Sequence, residues 1–370
     1  MPQSMQRKTN LLIKPLLFVN PLYLKKYLLQ ELLKMKNADF LTGITTSGTP
    51  HLGNYVGAIR PAVETSKNPE LESYYFLADY HSLIKNHDPK LRRQSALEIA
   101  AAWIALGLDY DNCVFYRQSD IPEIPELTWI LTSLTAKGLM NRAHAYKASV
   151  SENEEQGNKE PDKGITMGLF SYPILMAADI LMFNARKVPV GKDQVQHLEM
   201  TRDIAARFNH VYKKLFILPE VVVDETSSVL SGLDGRKMSK SYHNFIPLFD
   251  TQKRLRKLIM KIKTNSLGPD EPKDPDTCTL FSIYKAFASK SETINLANRY
   301  RQGIAWGTMK QELFEYIDEI LKNPRKSYEE LMENPSDIDE ILKKGSIKAR
   351  EFSVPFLEKI RKTIGIQSIS

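Results

Sequence analysis

From Asp39 onward, short apolar runs alternate with longer helical patterns, and this alternation narrows the possible folds more than any other feature of the chain. "D-F-L-T-G-I-T" from Asp39 reads as a buried strand; a glycine-rich turn follows, then a helix from about Leu52. "Y-Y-F-L-A-D-Y" from Tyr74 reads as a second strand, and "C-V-F-Y-R-Q-S" from Cys113 as a third. Between them "L-R-R-Q-S-A-L-E-I-A-A-A-W-I-A-L-G-L" from Leu91 carries a helical period that ends near Gly107. Strand–helix–strand–helix–strand implies an α/β protein whose parallel sheet is built by right-handed crossovers.

Further helices are expected from Pro125 and from Met167, with an exposed polar loop at Ser151–Gly164 between them. "K-V-P-V" from Lys187 reads as another strand, followed by a helix through Asn209. After Asn244 strand signals become rare, and Lys253–Lys263, Leu280–Ala288, Met309–Lys322 and Ile338–Ile364 look helical. The expected domains are a leader (1–36), a Rossmann-like α/β domain (37–244) and a C-terminal α-helical domain (245–370) whose last helix is free to pack back on the α/β domain. The leader is basic and apolar, with no acid before Glu31, but Lys14, Pro15 and Pro21 interrupt any membrane span. Met35 precedes the first strand signals and could serve as the start of the functional polypeptide.

Composition excludes several classes. The 370 residues are 42% hydrophobic and 26% charged, ordinary for a globular protein. The net charge of +7 suits a polyanionic partner. Cys113 and Cys278 stand far apart without metal-ligand spacing, so neither zinc, an iron–sulfur cluster nor a disulfide framework is expected, and a reducing cytoplasm is the default compartment.

Two stretches could carry chemistry. "T-S-G-T-P-H-L-G-N-Y-V-G-A-I-R" (Thr46–Arg60) sets a strand, a glycine turn and a helix start in series, an arrangement that binds anions through free N–H groups and the helix dipole. Gly48 and Gly53 would let a base or phosphate approach the main chain, and His51 and Asn54 share a helical face. A plain turn with a surface histidine would read the same way. "G-R-K-M-S-K-S" (Gly235–Ser241) would bring the ammonium groups of Lys237 and Lys240 to a transferring phosphoryl group, or be solvated surface.

Together, in this order and at this separation, the two resemble the signatures of class I aminoacyl-tRNA synthetases; Lys237–Ser241 matches the Lys-Met-Ser-Lys-Ser loop letter for letter. "S-Y-P-I-L-M-A-A-D-I-L-M-F-N" from Ser171 and "V-P-V-G-K-D-Q-V-Q-H-L-E-M-T-R-D-I-A-A-R-F-N" from Val188 are similar to tryptophanyl-tRNA synthetases, a resemblance running from Asp39 to the C-terminus. Asp179, in an apolar stretch, suits the indole N–H, which is only a donor. Tyr172 and Met176 share its helical face if Pro173 falls in the first turn, and they would wall an aromatic slot.

The resemblance also implies roles for individual residues. His81 and Ala78 would line the tryptophan pocket, and Gln194 would stand at its amino-acid end. Thr45, Thr46, Ser47, Gly53 and Asn54 would contact ATP; Gly191, Lys192 and Asp193 would hold its ribose and adenine side, and Val229 would meet adenine. Met238, Ser239 and Ser241 belong to the ATP-binding loop, His51, Lys237 and Lys240 to catalysis, and Lys147 to pyrophosphate. Leu41 and Thr45 stand where some members carry phenylalanine and glutamine. The implied partners are L-tryptophan, ATP with its Mg2+, tRNA(Trp) and a second copy of the chain, with no protein-bound metal and no membrane. Arg254–Lys263 is the densest basic run for an RNA backbone. Tyrosine activation, small-molecule adenylyl transfer and a non-catalytic RNA-binding role are the alternatives.

Overall fold

Five short strands form one sheet: β1 (Phe40–Thr45), β2 (Ser73–Ala78), β3 (Val114–Arg117), β4 (Lys187–Val190) and β5 (Glu220–Val223). They come from a computed structural model that describes residues 36–46, 48–223, 230–367 and 369. The order is β3-β2-β1-β4-β5, and every neighbouring pair is parallel. β5 is an addition to the strands legible in the sequence.

β1 and β2 stay in register along their whole length, from Phe40 opposite Ser73 to Thr45 opposite Ala78. β1 and β4 are in register only at Phe40 and Lys187, near their N-terminal ends. The two strands part toward their C-terminal ends, at the place where the strand order reverses. A doubly wound sheet offers its ligand crevice there.

Side chains of β2 and β3 alternate between two buried faces. Tyr75, Leu77 and Phe115 face α3 (Pro89–Ala105), whose Trp103 stacks on Phe115 at 5.8 Å and lies 5.5 Å from the Tyr75 ring. Tyr74 and Tyr116 face the other way, onto Phe183 at 4.8 and 5.6 Å. Before α3 come α1, a continuous helical run over Leu52–Asn54, the π-helical Tyr55–Ile59 and Arg60–Ser66, and the short α2 (Asp79–Ser82).

After β3 the chain enters α4 (Glu123–Thr132), the short α5 (Lys137–Met140), α6 (His144–Glu155) and α7 (Met167–Met182). Two expectations are corrected here. Ser151–Glu155 is not loop but the end of α6, a helix with no buried residue and hence no apolar period to read. Pro173 does not fall in the first turn of α7 but in the second; Thr166 caps the helix by accepting from Leu169 N–H, and the proline sits inside.

α8 (Val195–Val211) leads into β5. Beyond Asn244 the described residues form no strand, only α9 (Gln252–Met260), α10 (Thr279–Phe287), α11 (Lys290–Gln302), α12 (Trp306–Glu333) and α13 (Pro335–Ile364). The apolar core runs without a break from Leu52 and Val56 through Ile246 and Leu255 to Leu313. α13 covers the outer edge of β3, where Lys348 Nζ donates to the Asp111 carbonyl and Arg117 pairs with Asp339 at 2.9 Å. A helix laid there closes an edge strand to stray pairing.

Candidate active site

The glycine turn after β1 bends at Gly48, whose φ of +86° is open to glycine at little cost. Its N–H donates to the buried Ser95 Oγ of α3 at 2.8 Å, so the turn is anchored from below. Asn54 Oδ1 accepts from His51 N–H at 3.0 Å and fixes the entry to α1. Thr46 Oγ1 and His51 Nδ1 are both buried and have no hydrogen-bond partner among the described residues. Buried polar atoms normally have partners, and two orphans beside a helix start suit a polar ligand. Burial, then the charge of Lys240, lowers the His51 pKa to about 4, so the ring is neutral at pH 7.

The second motif lies on the first. Leu52 N–H donates to Ile246 O and Leu248 N–H to Pro50 O, clamping the chain after the basic loop onto the glycine turn. A Cβ added to Gly48 would lie 3.4 Å from Lys240 Nζ, and one added to Gly53 3.8 Å from Met238 Cβ. The Lys240 ammonium therefore stands over the turn. Burial lowers its pKa to about 8, against the opposing pull of Glu98. Lys237 and Ser241 are exposed, Ser239 is half-buried and Met238 is buried.

Asn244 organises this loop from within. Its Oδ1 accepts from Ser239 N–H at 2.8 Å, and its Nδ2 donates to Asp234 Oδ1 at 2.7 Å and to the Lys237 carbonyl at 3.1 Å. That donation, with help from Arg236, lowers the Asp234 pKa to about 2.

The apolar end is built around Asp179, 1% exposed on α7. Its Oδ2 lies 2.8 Å from His81 Nε2 and its Oδ1 accepts from Gln118 Nε2 at 2.7 Å. Burial raises its pKa, and the hydrogen bonds from His81 and Gln118 oppose that. Each carboxylate oxygen has a second lone pair, so a further donor can still be accepted. Ala78 ends β2 just before His81, and Tyr172 meets the His81 ring edge-on at 6.3 Å. Tyr172 Oη lies 2.6 Å from His197 Nε2, and His197 Nδ1 2.9 Å from Gln194 Oε1. Met176 is half-buried on the same helix.

Residues 34–322 match the family of class I tRNA synthetases (W and Y). The tryptophan–tRNA ligase of Neisseria meningitidis is 56% identical over 335 residues, 90% of this chain and 100% of that protein. The chain belongs to the tryptophanyl-tRNA synthetase family. The tryptophan–tRNA ligase of Pseudomonas putida is 57% identical over 331 residues, covering 89% of this chain and 74% of its own. Among solved structures, the tryptophanyl-tRNA synthetase of Campylobacter jejuni, complexed with ADP and tryptophan, aligns at TM-score 0.79 and 42% identity, over 88% of this chain and 99% of that one.

In this tryptophanyl-tRNA synthetase fold, the expected site residues fall into three groups. His51, Gly53, Asn54, Thr46, Met238 and Lys240 come together at the glycine turn; Asp179, His81, Ala78 and Tyr172 come together at the apolar end. Gly191, Lys192 and Gln194 follow β4, beside the crevice, with Gln194 N–H donating to the Gly191 carbonyl. Thr45 is exposed at the end of β1. Lys147 is exposed on α6, whose first residue, His144, donates its N–H to Gln196 Oε1. Ser47, Val229 and the side chain of Asp193 lie outside the described residues. Gln118, His197, Asn244 and Ser95 are additions, since each acts through partners distant in sequence or through a local bond that no motif marks. Among the described residues no three His, Cys, Asp or Glu side chains cluster as metal ligands, and no helix is long and apolar enough to cross a membrane.

Proposed function

We propose that the chain activates L-tryptophan with ATP, releasing pyrophosphate, and passes the tryptophanyl group from the adenylate to tRNA(Trp). One observation carries this reading: the Lys240 ammonium sits over the Gly48 turn of one motif, in a chain whose α7 buries Asp179 as an acceptor beside aromatic walls. The tryptophan carboxylate attacks the α-phosphorus, and the bond to pyrophosphate breaks. No side chain acts as a covalent nucleophile. Positioning and charge stabilisation do the chemistry.

His51, Asn54 and Thr46 would donate to the triphosphate or ribose, while Lys237 and Lys240 would balance charge on the leaving pyrophosphate; Mg2+ enters on the ATP phosphates. The orphaned Thr46 Oγ1 and His51 Nδ1 support this assignment. Ser47, Gly53, Ser239, Ser241 and the turn at Gly191–Asp193 complete the nucleotide contacts in this reading, with Val229 against adenine, Lys147 toward pyrophosphate and Thr45 at the strand end. Asp179 would accept the indole N–H between Tyr172, Met176, Ala78 and His81.

The helical region after residue 245 would read the anticodon. α9 supports this: Leu255 and Ile259 are buried while Lys253, Arg254, Arg256 and Lys257 are exposed. A homodimer fits the exposed Trp129 on α4 and Met167 on α7, both in the helices after β3. The cytoplasm is the compartment that goes with this reading.

ATP–pyrophosphate exchange run with each amino acid in turn tests the reading. Tryptophan alone should support exchange. Lys240→Ala should lower the rate by at least ~tenfold and leave tryptophan affinity within about twofold. Exchange driven by tyrosine, or unchanged turnover in Lys240→Ala, would refute it.

A further inference from the structure

We propose that Tyr242, braced by Arg236, is a stacking platform for an unpaired base at the 3′ end of the tRNA, and so positions the acceptor strand for the transfer step. The inference rests on the functional reading given above and adds to it a residue just outside the Lys237–Ser241 loop.

Tyr242 follows Ser241 directly, is 51% exposed and takes no part in the apolar core. One side of its ring is covered by a cation: the Arg236 guanidinium carbon lies 4.6 Å from the ring centroid. The guanidinium is itself held. Its Nε donates to Asp234 Oδ2 at 2.7 Å, and its Nη2 lies 2.6 Å from the same oxygen. Asn244 Nδ2 donates to the other oxygen, Asp234 Oδ1, at 2.7 Å. Ring, guanidinium, carboxylate and buried amide thus form one connected chain, and the ring is braced before any ligand arrives. The backbone beneath it is fixed as well, since Tyr242 N–H donates to Ser239 O at 3.3 Å and His243 N–H to Lys240 O at 3.0 Å.

The surroundings select the partner. From Gly235 to His243 the exposed side chains are Arg236, Lys237, Ser241, Tyr242 and His243, with no acid among them. Asp234 beside them is already paired with Arg236. A flat ring among cations suits a polyanion that can offer a π face, and unpaired nucleotides stack on aromatic and guanidinium planes in this way. A tRNA carries unpaired nucleotides at its 3′ end. The transfer step must bring that end to the crevice this hairpin borders, where Lys240 stands over the Gly48 turn. A mere brace for the hairpin is the competing account. It makes a different forecast, because a loosened hairpin would slow adenylate formation, a step that needs no tRNA.

The test compares binding of tRNA(Trp) and of the same tRNA trimmed of its unpaired 3′ end, with ATP–pyrophosphate exchange measured alongside on the full chain. Tyr242→Ala should weaken binding of the intact tRNA by about fivefold or more, raise its KM in aminoacylation to match, and leave exchange within about twofold. Wild type and Tyr242→Ala should bind the trimmed tRNA alike. Tyr242→Phe keeps the π face and should behave as wild type. Equal losses with both tRNAs, no loss with either, or a fall in exchange that matches the fall in aminoacylation overturns the proposal. Wild-type protein that shows no tryptophan-dependent exchange would instead defeat the underlying functional reading.

Discussion

His51 shows how a single side chain ties the nucleotide site to the stability of the fold. Its pKa is lowered from 6.5 to about 4, first by burial and then by the Lys240 ammonium. Above pH 6.5 the ring is neutral in both folded and unfolded chains, and it makes no pH-dependent contribution. Between 6.5 and 4 the unfolded chain takes up a proton that the folded chain refuses, so stability falls with pH; below 4 the effect levels off. At about 1.4 kcal/mol per unit, the loss amounts to a few kcal/mol at most. His51→Gln has no such proton to refuse. Its melting temperature should therefore decline less than the wild type's between pH 6.5 and 4, with parallel behaviour above 6.5. Parallel curves over the whole range would show that the ring is not held neutral by its surroundings.

At the scale of elements, the basic loop works as a hairpin stapled by one side chain. Leu230 O accepts from Met238 N–H and Gly232 N–H donates to Arg236 O, while Asn244 ties Ser239, Asp234 and Lys237 to one point. Asn244→Ala removes all three bonds and leaves the Ser239 N–H without its acceptor. The expected result is a KM for ATP raised by about tenfold and a tryptophan affinity within about twofold, since the apolar pocket makes no use of this staple. An unchanged KM for ATP would mean that the hairpin is set by its backbone alone. Asn244 also marks a limit of reading from sequence. β1 to β4 and α3 were legible because apolar runs and a helical period announce burial. Gln118 and His197 were not, because each gains its role from partners that only the folded chain brings near: Gln118 meets Asp179 from 61 positions away and His197 meets Tyr172 from 25. Asn244 was not, because its bonds to the nearby Ser239, Asp234 and Lys237 belong to a turn that no motif marks. β5 ("E-V-V-V") is as short as β4 and has no fully buried residue, and α6 is a helix without an apolar face. The two motifs were legible because glycine, lysine and serine at fixed spacing describe a local geometry in themselves.

Across the whole molecule, the last helix joins the C-terminal helices to the sheet. α13 carries Arg350, which donates to the buried Glu123 of α4 at 2.8 Å, and Ser353, whose Oγ donates to the same carboxylate at 3.1 Å. The close approach is at Gly345. A Cβ there would lie 1.7 Å from the Phe115 carbonyl oxygen and 2.5 Å from its carbon. The obstacle is the backbone of β3, which cannot rotate aside as a side chain would, so Gly345→Ala must push α13 off the strand edge. A helical alanine is intrinsically better than glycine by up to ~1 kcal/mol, so propensity alone forecasts a gain. Crowding forecasts a loss of about 1–3 kcal/mol or more, and with backbone 1.7 Å from the added Cβ crowding wins. Gly307→Ala in α12 is the internal control, since nothing lies within 4 Å of its added methyl group. Urea unfolding should show Gly345→Ala with a clearly lower midpoint and Gly307→Ala with an equal or higher one. If Gly345→Ala unfolded at the wild-type midpoint, α13 would not be seated on β3 in solution, and the edge of the sheet would need another cover.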